Sequence, residues 1–260
     1  MWAIVTGGSS GLGLAIAKRL AKEGYNLVLV SRNEEKLEKA KAQIMASIQD
    51  CRNTGDETDI RIFPIDLSEA GNPAMRLFEW TKGEGIVPDV LVNDAGVYIH
   101  KKLIDATETE QQRIVSVNIS ALTTLCRLFG REMAEQGGGR YILNIASYSV
   151  YMPIEGFSLY ASTKAYVRTF SRCISKEFRH HGIKVTAVAP AGIDTGLMQL
   201  KPGIQKLARG AGFLASPDTI ARISVRVLKT KHIHYWIPLW FNILFIPFLW
   251  IFQPLFKKVL

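Results

Sequence analysis

Buried strands and amphipathic helices alternate along most of this chain, from Trp2 to about Ala189. Continuous apolar runs are typical of strands in a parallel sheet that is covered on both faces. Helical patterns fit between these runs, for example Asn33–Gln49 and Gln111–Met133. This alternation predicts an α/β fold with a doubly wound parallel sheet flanked by helices. The predicted strands lie in Trp2–Thr6, Asn26–Val30, Ile60–Ile65, Val90–Val92, Tyr141–Ile145 and Val185–Val188.

The chain has 260 residues and 48% hydrophobic content, enough to bury one large core. We find no linker rich in Ser or Pro, no low-complexity segment and no internal repeat. We therefore assign residues 1–239 to a single folded domain and residues 240–260 to a hydrophobic C-terminal tail.

A glycine-rich turn, Gly7-Gly-Ser-Ser-Gly11-Leu-Gly13, follows the first strand and precedes a helical pattern that stops at Gly24. Strand, glycine-rich turn and helix together form the context in which a glycine pattern predicts a dinucleotide site. The glycines let the backbone approach a pyrophosphate, and the helix N-terminus offers unpaired N–H groups. A plain turn needs one glycine and this one has four, so we favour phosphate binding.

Tyr160 and Lys164 are four residues apart and share one face of a predicted helix. A phenol has a pKa of about 10 in water, and an adjacent ammonium favours the phenolate. We therefore expect Lys164 to lower the pKa of Tyr160 and prepare it for proton transfer. Ser147 follows a predicted strand, so it should lie at the carboxyl edge of the sheet, where open α/β sheets bind ligands.

Several segments resemble the short-chain dehydrogenase/reductase family, in the right order through nearly the whole chain. The turn Thr6-Gly7-x-x-x-Gly11-x-Gly13 is similar to the family's cofactor loop. Asn93-Asp94-Ala95-Gly96 resembles its N-N-A-G segment, with Asp in place of the second Asn. Pro190-Ala-Gly-Ile-Asp-Thr195 resembles the stretch beside the nicotinamide, with one extra residue, Ala191. The resemblance implies a Rossmann fold and an NAD(P)-dependent oxidoreductase.

The resemblance also implies the catalytic residues, Asn118, Ser147, Tyr160 and Lys164. The nicotinamide would deliver hydride to a substrate carbonyl while Tyr160 donates the proton and Ser147 holds the carbonyl oxygen. Lys164 would also bind the nicotinamide ribose, and Asn118 would hold a water that connects Lys164 to solvent. The implied cofactor contacts are Gly7, Ser9, Ser10, Gly11, Leu12, Gly13, Ser31, Arg32, Asp66, Asn93, Ala95, Gly96, Tyr160, Lys164, Pro190, Gly192, Ile193 and Thr195.

The end of the second strand favours NADPH (NADP+) over NADH. A carboxylate there would bind both ribose hydroxyls, but the strand ends in Ser31-Arg32. Arg32 can pair with the 2′-phosphate and stack on the adenine; the alternative is an arginine that only begins the next helix. Asp66 resembles the family residue that meets the adenine amino group. We therefore favour NADPH as cofactor and reduction as direction.

A lipophilic ketone is the substrate class that we expect. Gly196–Ala215, which covers the substrate in this family, is rich in apolar residues. A 3-oxoacyl thioester, a 3-ketosphinganine-type base and a steroid ketone all fit. The alternative is a non-catalytic NADPH-binding regulator or scaffold, which we disfavour because all four catalytic positions are filled.

The C-terminal region from Ile233 to Phe256 contains no Asp, Glu, Lys or Arg and is rich in aromatic residues. We expect His232–Ile237 to form the last strand. For the remainder we favour a helix or hairpin in a membrane interface. A transmembrane anchor and an apolar segment packed in a dimer contact or over the substrate site are the alternatives.

The net charge of +9 suits a phosphate-rich cofactor and an anionic membrane surface. We see no recognition motif for nucleic acid and expect none to bind. The three cysteines and five histidines show no metal-ligand spacing, so we expect no metal site. Unpaired thiols, and a first strand that leaves no room for a cleaved signal peptide, predict a cytoplasmic protein, membrane-associated through its tail. We also expect a homo-oligomer, a dimer or a tetramer.

Overall fold

The computed structural model describes residues 1–49, 58–151, 155–190, 192–193 and 214–228. Within these ranges, six strands form one sheet in the order β3-β2-β1-β4-β5-β6, and every neighbouring pair is parallel. This confirms the predicted doubly wound sheet, and each predicted apolar run is a strand. The strands are β1 (Trp2–Thr6), β2 (Asn26–Ser31), β3 (Ile60–Pro64), β4 (Val90–Asn93), β5 (Arg140–Ile145) and β6 (Ile183–Val188). A short parallel pair, β7 (Gly192–Ile193) and β8 (Leu214–Ala215), follows.

Helices cover both faces of the sheet. Alternate residues of the strands enter opposite halves of the core, so Val5 packs on one side of the sheet and Ile4 on the other. The first side is completed by α1 (Gly11–Lys22), α2 (Glu34–Gln49) and α7 (Pro217–Leu228). The second side is completed by α3 (Pro73–Gly83), α5 (Leu122–Gln136) and α6 (Ser158–Phe178).

The single helix predicted over Gln111–Met133 is interrupted in the structure. It consists of α4 (Glu108–Val115), a π-helical segment (Ser116–Ala121) and α5. A capping box of Thr107 and Glu110, recognisable in the sequence as T-x-x-E, fixes the start of α4. The predicted residues are therefore all helical, but the helix begins three residues earlier and includes a π-helical segment that the pattern did not predict.

The sheet register brings three loops to one level. Thr6 at the end of β1 pairs with Val30 on one side and with Asn93 on the other, and Asn93 pairs with Asn144 of β5. The strand order reverses between β1 and β4, and ligands of open α/β sheets bind in the crevice at such a point. The loops after β1, β4 and β5 therefore begin side by side at this edge.

Several predicted features lie outside the described residues. These are the last strand at His232–Ile237, the tail at 240–260, the boundary between tail and domain, Thr195, and most of Gly196–Ala215. In the ranges that the structure does describe, no helix is both long and apolar enough to cross a membrane.

Candidate active site

The glycine-rich loop makes a tight turn into α1. Gly7 has φ +73° and Gly11 φ +56°, values that glycine adopts without strain. A Cβ on Gly13 would collide with the carbonyl oxygen of Gly7, so the close approach of these two residues requires glycine. Ser10, the N-cap of α1, makes no side-chain capping bond, and the first turn contains no acidic residue. The start of α1 therefore suits a bound phosphate. Of the predicted contacts, this loop and turn hold Gly7, Ser9, Ser10, Gly11, Leu12 and Gly13.

The predicted ribose and adenine residues meet at the ends of β2 and β3. A guanidinium nitrogen of Arg32 lies 3.7 Å from a carboxylate oxygen of Asp66, and 59% of the Arg32 side chain is exposed. Ser68 donates to Asp66 through both its backbone N–H and its hydroxyl, at 2.8 and 2.6 Å. The Ser31 hydroxyl oxygen is buried and makes no hydrogen bond within the described residues. An exposed cation and an unpaired hydroxyl thus fit a phosphorylated ribose.

Asn93 faces the interior. Its amide nitrogen donates to Asn144 at 2.8 Å and contacts the Cys126 sulfur at 3.3 Å, and the residue is 4% exposed. Asn144 in turn donates to the Ser171 hydroxyl at 2.9 Å. This network ties β4 and β5 to α6. The structure therefore places the Asn93 amide group in the core and not against the glycine loop.

Thr6 joins the glycine loop to the segment after β4. Its hydroxyl donates to the carbonyl of Val92 and accepts from the backbone N–H of Ala95, both at 3.2 Å. A Cβ on Gly96 would lie 3.5 Å from the Lys164 nitrogen and 3.6 Å from the Asn118 side-chain oxygen. The predicted contacts Ala95 and Gly96 therefore lie between the glycine loop and the predicted catalytic residues.

Asn118 lies in the π-helical segment and is 1% exposed. Its side chain accepts from the backbone N–H of Val97 at 2.8 Å and donates to the carbonyl of Val97 at 3.0 Å. It also donates to the Thr163 hydroxyl at 3.0 Å. The Asn118 amide thus fastens the loop after β4 to α6. It does so from a π turn, a feature that is common at functional sites.

Ser147 and Tyr160 come together, as the family resemblance implied. Ser147 follows β5 and is 8% exposed, and Tyr160 lies in the first turn of α6 and is 9% exposed. The Ser147 side chain accepts from the backbone N–H of Ser149 at 3.1 Å and shares a hydrogen bond with the Tyr160 hydroxyl. Serine and tyrosine hydroxyls are thus presented together at the carboxyl edge of the sheet.

Lys164 lies one turn further along α6, but its ammonium makes no hydrogen bond to the phenol oxygen of Tyr160. It donates to the carbonyl of Ile145 at 2.8 Å, and its nitrogen lies 5.9 Å from the centroid of the Tyr160 ring. Burial lowers the pKa of Lys164 to about 8, against the opposing effect of Asp94.

Burial also raises the pKa of Tyr160 to about 12, and the hydrogen bond from Ser147 opposes this rise. The expected lowering of the tyrosine pKa by Lys164 is therefore wrong for the unliganded protein. The reason is that the phenol loses solvent on burial, while the ammonium of Lys164 is directed at a backbone carbonyl.

Asp94, the residue that departs from the family pattern, packs against the glycine loop. A Cβ on Gly13 would lie 2.8 Å from one Asp94 carboxylate oxygen, and a Cβ on Gly7 would lie 3.1 Å from it. The backbone N–H of Gly13 donates to this carboxylate. Burial raises the pKa of Asp94 to about 7, while the charge of Lys164 and the Gly13 N–H act to lower it.

An aromatic cluster of Tyr98, Phe157 and His100, which contacts Tyr160 through Tyr98, was not predicted from the sequence. The rings of Tyr98 and Tyr160 meet edge to face with centroids 5.0 Å apart, and Tyr98 lies 6.0 Å from Phe157. His100 packs on Phe157 at 5.0 Å. Tyr98 and His100 closely follow Asn93–Gly96, and Phe157 directly precedes α6, so nearness in sequence to two motifs was the available signal. Of the five histidines, His100 thus has a packing role.

The remaining predicted contacts lie at the end of β6. Pro190 accepts a hydrogen bond from the backbone N–H of Tyr148 at 2.9 Å, which brings the chain after β6 next to Ser147. Gly192 and Ile193 form β7, which pairs with β8.

Throughout the described part of the chain, no cluster of three or more His, Cys, Asp or Glu could hold a metal ion. Cys126 is buried and Cys173 exposed, and both are free thiols.

The family model for short chain dehydrogenases matches residues 1–203. The chain therefore belongs to the short-chain dehydrogenase/reductase family, which confirms the resemblance drawn from its motifs. It is an NAD(P)-dependent oxidoreductase of that family.

This chain aligns with different shares of the length of its relatives. A 17-beta-hydroxysteroid dehydrogenase type 3 of Danio rerio is 31% identical over 238 residues, which are 88% of this chain and 70% of that protein. The probable oxidoreductase EphD of Mycobacterium tuberculosis is 30% identical over 195 residues, which are 75% of this chain and 31% of EphD. The chain thus spans about a third of EphD. A crystal structure of a metagenomic short-chain oxidoreductase in complex with NADP superposes with a TM-score of 0.72, at 26% identity, covering 91% of this chain and 95% of that one.

Proposed function

We propose that this protein uses NADPH to reduce a carbonyl group of a lipophilic substrate to an alcohol. The observation that carries the proposal is the hydrogen bond between Ser147 and Tyr160 at the sheet edge, with Lys164 one turn away on α6. The glycine loop begins at the same edge, so cofactor and proton donor would meet there.

The protonation state of Tyr160 favours reduction as the direction. A pKa of about 12 keeps the phenol protonated at neutral pH, so Tyr160 holds the proton that a carbonyl oxygen needs. Ser147 would orient that oxygen and stabilise its developing negative charge. Lys164 would supply positive charge and bind ribose hydroxyls. Asn118 would keep the loop after β4 in place and hold a water that connects Lys164 to solvent. When bound, NADPH supplies the hydride.

The preference for NADPH rests on Arg32. Its side chain is mostly exposed and lies at the end of β2, where a family member specific for NADH would carry a carboxylate. The buried, unpaired Ser31 hydroxyl offers a second partner for a 2′-phosphate. A relative with 26% identity binds NADP, which supports the same assignment.

The lipophilic substrate class is supported by the aromatic rings beside the proton donor. The ring of Tyr98 packs on both Tyr160 and Phe157, so aromatic surface, which is typical of sites for apolar ligands, adjoins the proposed proton donor. The name of the Danio rerio relative adds weight to a steroid ketone. A 3-oxoacyl thioester and a 3-ketosphinganine-type base remain in the same class.

A panel assay with purified protein tests this function. NADPH absorbance is followed with a steroid ketone, a 3-oxoacyl thioester, a 3-ketosphinganine-type base and a polar keto-sugar. We expect turnover with a lipophilic ketone and the loss of nearly all of this turnover in Tyr160→Phe. NADPH binding without turnover on any ketone would instead support a non-catalytic NADPH-binding regulator or scaffold.

We further propose that the tail at 240–260 lies on an anionic membrane surface on the cytoplasmic side and that the protein is a homo-oligomer. The apolar composition of the tail, Lys257-Lys258 and the net charge of +9 support the membrane proposal. Deletion of Asn242–Leu260 should abolish flotation with anionic vesicles and preserve NADPH binding. Unchanged flotation would place the anchor elsewhere, and light scattering of both forms tests whether the tail joins subunits.

A further inference from the structure

Asp94 places an ionisable carboxyl group against the loop that receives the cofactor phosphates. A Cβ on Gly13 or on Gly7 would lie only 2.8 or 3.1 Å from one oxygen of its carboxylate, which accepts a hydrogen bond from the backbone N–H of Gly13. That N–H belongs to the first turn of α1, whose start bears the positive end of the helix dipole. The carboxylate of Asp94 and a bound pyrophosphate would therefore use the same helix end.

Few charges compensate a negative charge at this position. From α6, Asp94 faces the ammonium of Lys164 and the hydroxyl of Tyr160; from α1, it faces the N–H of Gly13. The glycine loop carries no charged side chain. Asn118, which lies in the π-helical segment, is uncharged. Lys164 is thus the one cation that acts on Asp94 within the described residues, and its ammonium is bonded to the carbonyl of Ile145.

A phosphate that arrives at the start of α1 adds a second anion near this partly buried carboxylate. Like charges in a poorly solvated site favour the protonated form of the weaker acid. Asp94 can accept a proton without losing its contact with the loop, since the carbonyl oxygen of a neutral carboxyl group still accepts from Gly13. A pKa of about 7 in the unliganded protein makes such proton uptake accessible near neutral pH.

We propose that Asp94 takes up a proton from solvent when a dinucleotide binds at the glycine loop, so that cofactor affinity falls as this carboxylate forms. Asp94 is then a positioning residue whose charge state regulates cofactor binding. The asparagine that the family pattern has at this position would hold the loop without a titratable proton. The inference rests on the cofactor part of the proposed function and is independent of the substrate.

Calorimetry of NADP+ binding in two buffers with different ionisation enthalpies measures the protons taken up. At about pH 7.5 we expect net proton uptake by the parent protein and a much smaller uptake by Asp94→Asn. Asp105→Asn, which removes the same charge from an exposed site, is the matched control and should behave like the parent. Because no substrate is needed, a protein inactive on every ketone still gives a decisive result.

The pH profile of affinity gives a second readout. Between about pH 6 and 8, the affinity of the parent for NADP+ should fall several-fold more than the affinity of Asp94→Asn. The uptake of one proton can change the affinity by at most about tenfold per pH unit. ADP-ribose serves as a second probe because it lacks the 2′-phosphate. That phosphate itself titrates at about pH 6 and would add its own pH dependence to the affinity for NADP+.

The proposal is overturned if the parent protein binds NADP+ without proton uptake, a result that stands even if Asp94→Asn does not fold. Equal uptake by the parent and a folded Asp94→Asn protein would also overturn it, since the proton would then go elsewhere. Loss of NADP+ binding by a folded Asp94→Asn protein would show that the negative charge itself is required.

Discussion

The ring of Tyr98 meets the ring of Tyr160 edge to face, with centroids 5.0 Å apart and planes inclined by 80°. Such pairs contribute about 0.5–1.5 kcal/mol beyond the burial of their area. Tyr98 belongs to the loop after β4, which Asn118 fastens to α6 through Val97 and Thr163. The orientation of the proposed proton donor therefore depends on a loop that is distant in sequence.

Tyr160→Phe should lower turnover by about 100-fold or more, the usual contribution of a positioned acid, because the ring stays in place and the donated proton is lost. NADP+ affinity, measured by fluorescence titration, should change by only a few-fold. Lys164→Ala, in contrast, should impair both turnover and binding. If Tyr160→Phe turns over within a few-fold of the parent, another group donates the proton.

Arg32→Asp should shift cofactor preference toward NADH. The new carboxylate would repel the 2′-phosphate and accept hydrogen bonds from the ribose hydroxyls. Steady-state kcat/KM with each cofactor, in parent and variant, measures the shift. A parent efficiency with NADH equal to or above that with NADPH would remove the basis for the NADPH assignment.

Gly13→Ala should abolish dinucleotide binding or destabilise the protein. The new methyl group would collide with the Gly7 carbonyl and crowd the Asp94 carboxylate, and both the loop and α1 must shift to relieve this. Gly83→Ala, at the end of α3 with open space around it, is the control and should be neutral or slightly stabilising. Thermal unfolding and NADP+ titration separate the two effects, and wild-type binding by Gly13→Ala would refute the tight turn.

Asp94 should make the stability of the unliganded protein fall as pH rises. Its pKa is about 7 in the folded state, above the value of about 4 in an unfolded chain. Folding therefore takes up a proton between these values, and the destabilisation grows from about pH 4 until it is complete above about pH 7. Urea unfolding measures this effect as the free energy of unfolding of Asp94→Asn minus that of the parent. This difference should be larger at about pH 7.5 than at about pH 5. A difference between the two proteins that is constant with pH would contradict the raised pKa.

Local sequence patterns were sufficient for the sheet and for the place of Ser147 at its edge, and the family resemblance implied that Ser147 meets Tyr160. Apolar runs have the length of strands, and the order of strands and helices leaves few topologies for a parallel sheet. A serine directly after a strand and a tyrosine in the first turn of a helix have positions that the backbone fixes, so their proximity follows from the fold.

Features that depend on contacts between distant segments were not predictable in this way. The π-helical segment exists where Asn118 bonds to Val97 and Thr163, and no local pattern encodes those partners. The inward turn of Asn93 depends on Asn144 across the sheet. The pKa of Tyr160 depends on how much solvent the folded chain excludes from the phenol. The spacing of tyrosine and lysine in the sequence gives no information about this exclusion.

The π-helical segment also fixes the length of the chain between α4 and α5. A π turn holds one residue more than an α-helical turn, so the loss of one residue here would let α4 and α5 join as a regular α-helix and would remove the turn that carries Asn118. One added residue would instead rotate α5 by about 100° relative to α4. Phe129, which is fully buried in the core, would then turn away from it. Substitutions at an exposed position such as Ser120 leave this alignment unchanged. Single-residue deletions and insertions between Val115 and Leu122 should therefore be far more damaging than point substitutions at the surface of the same segment.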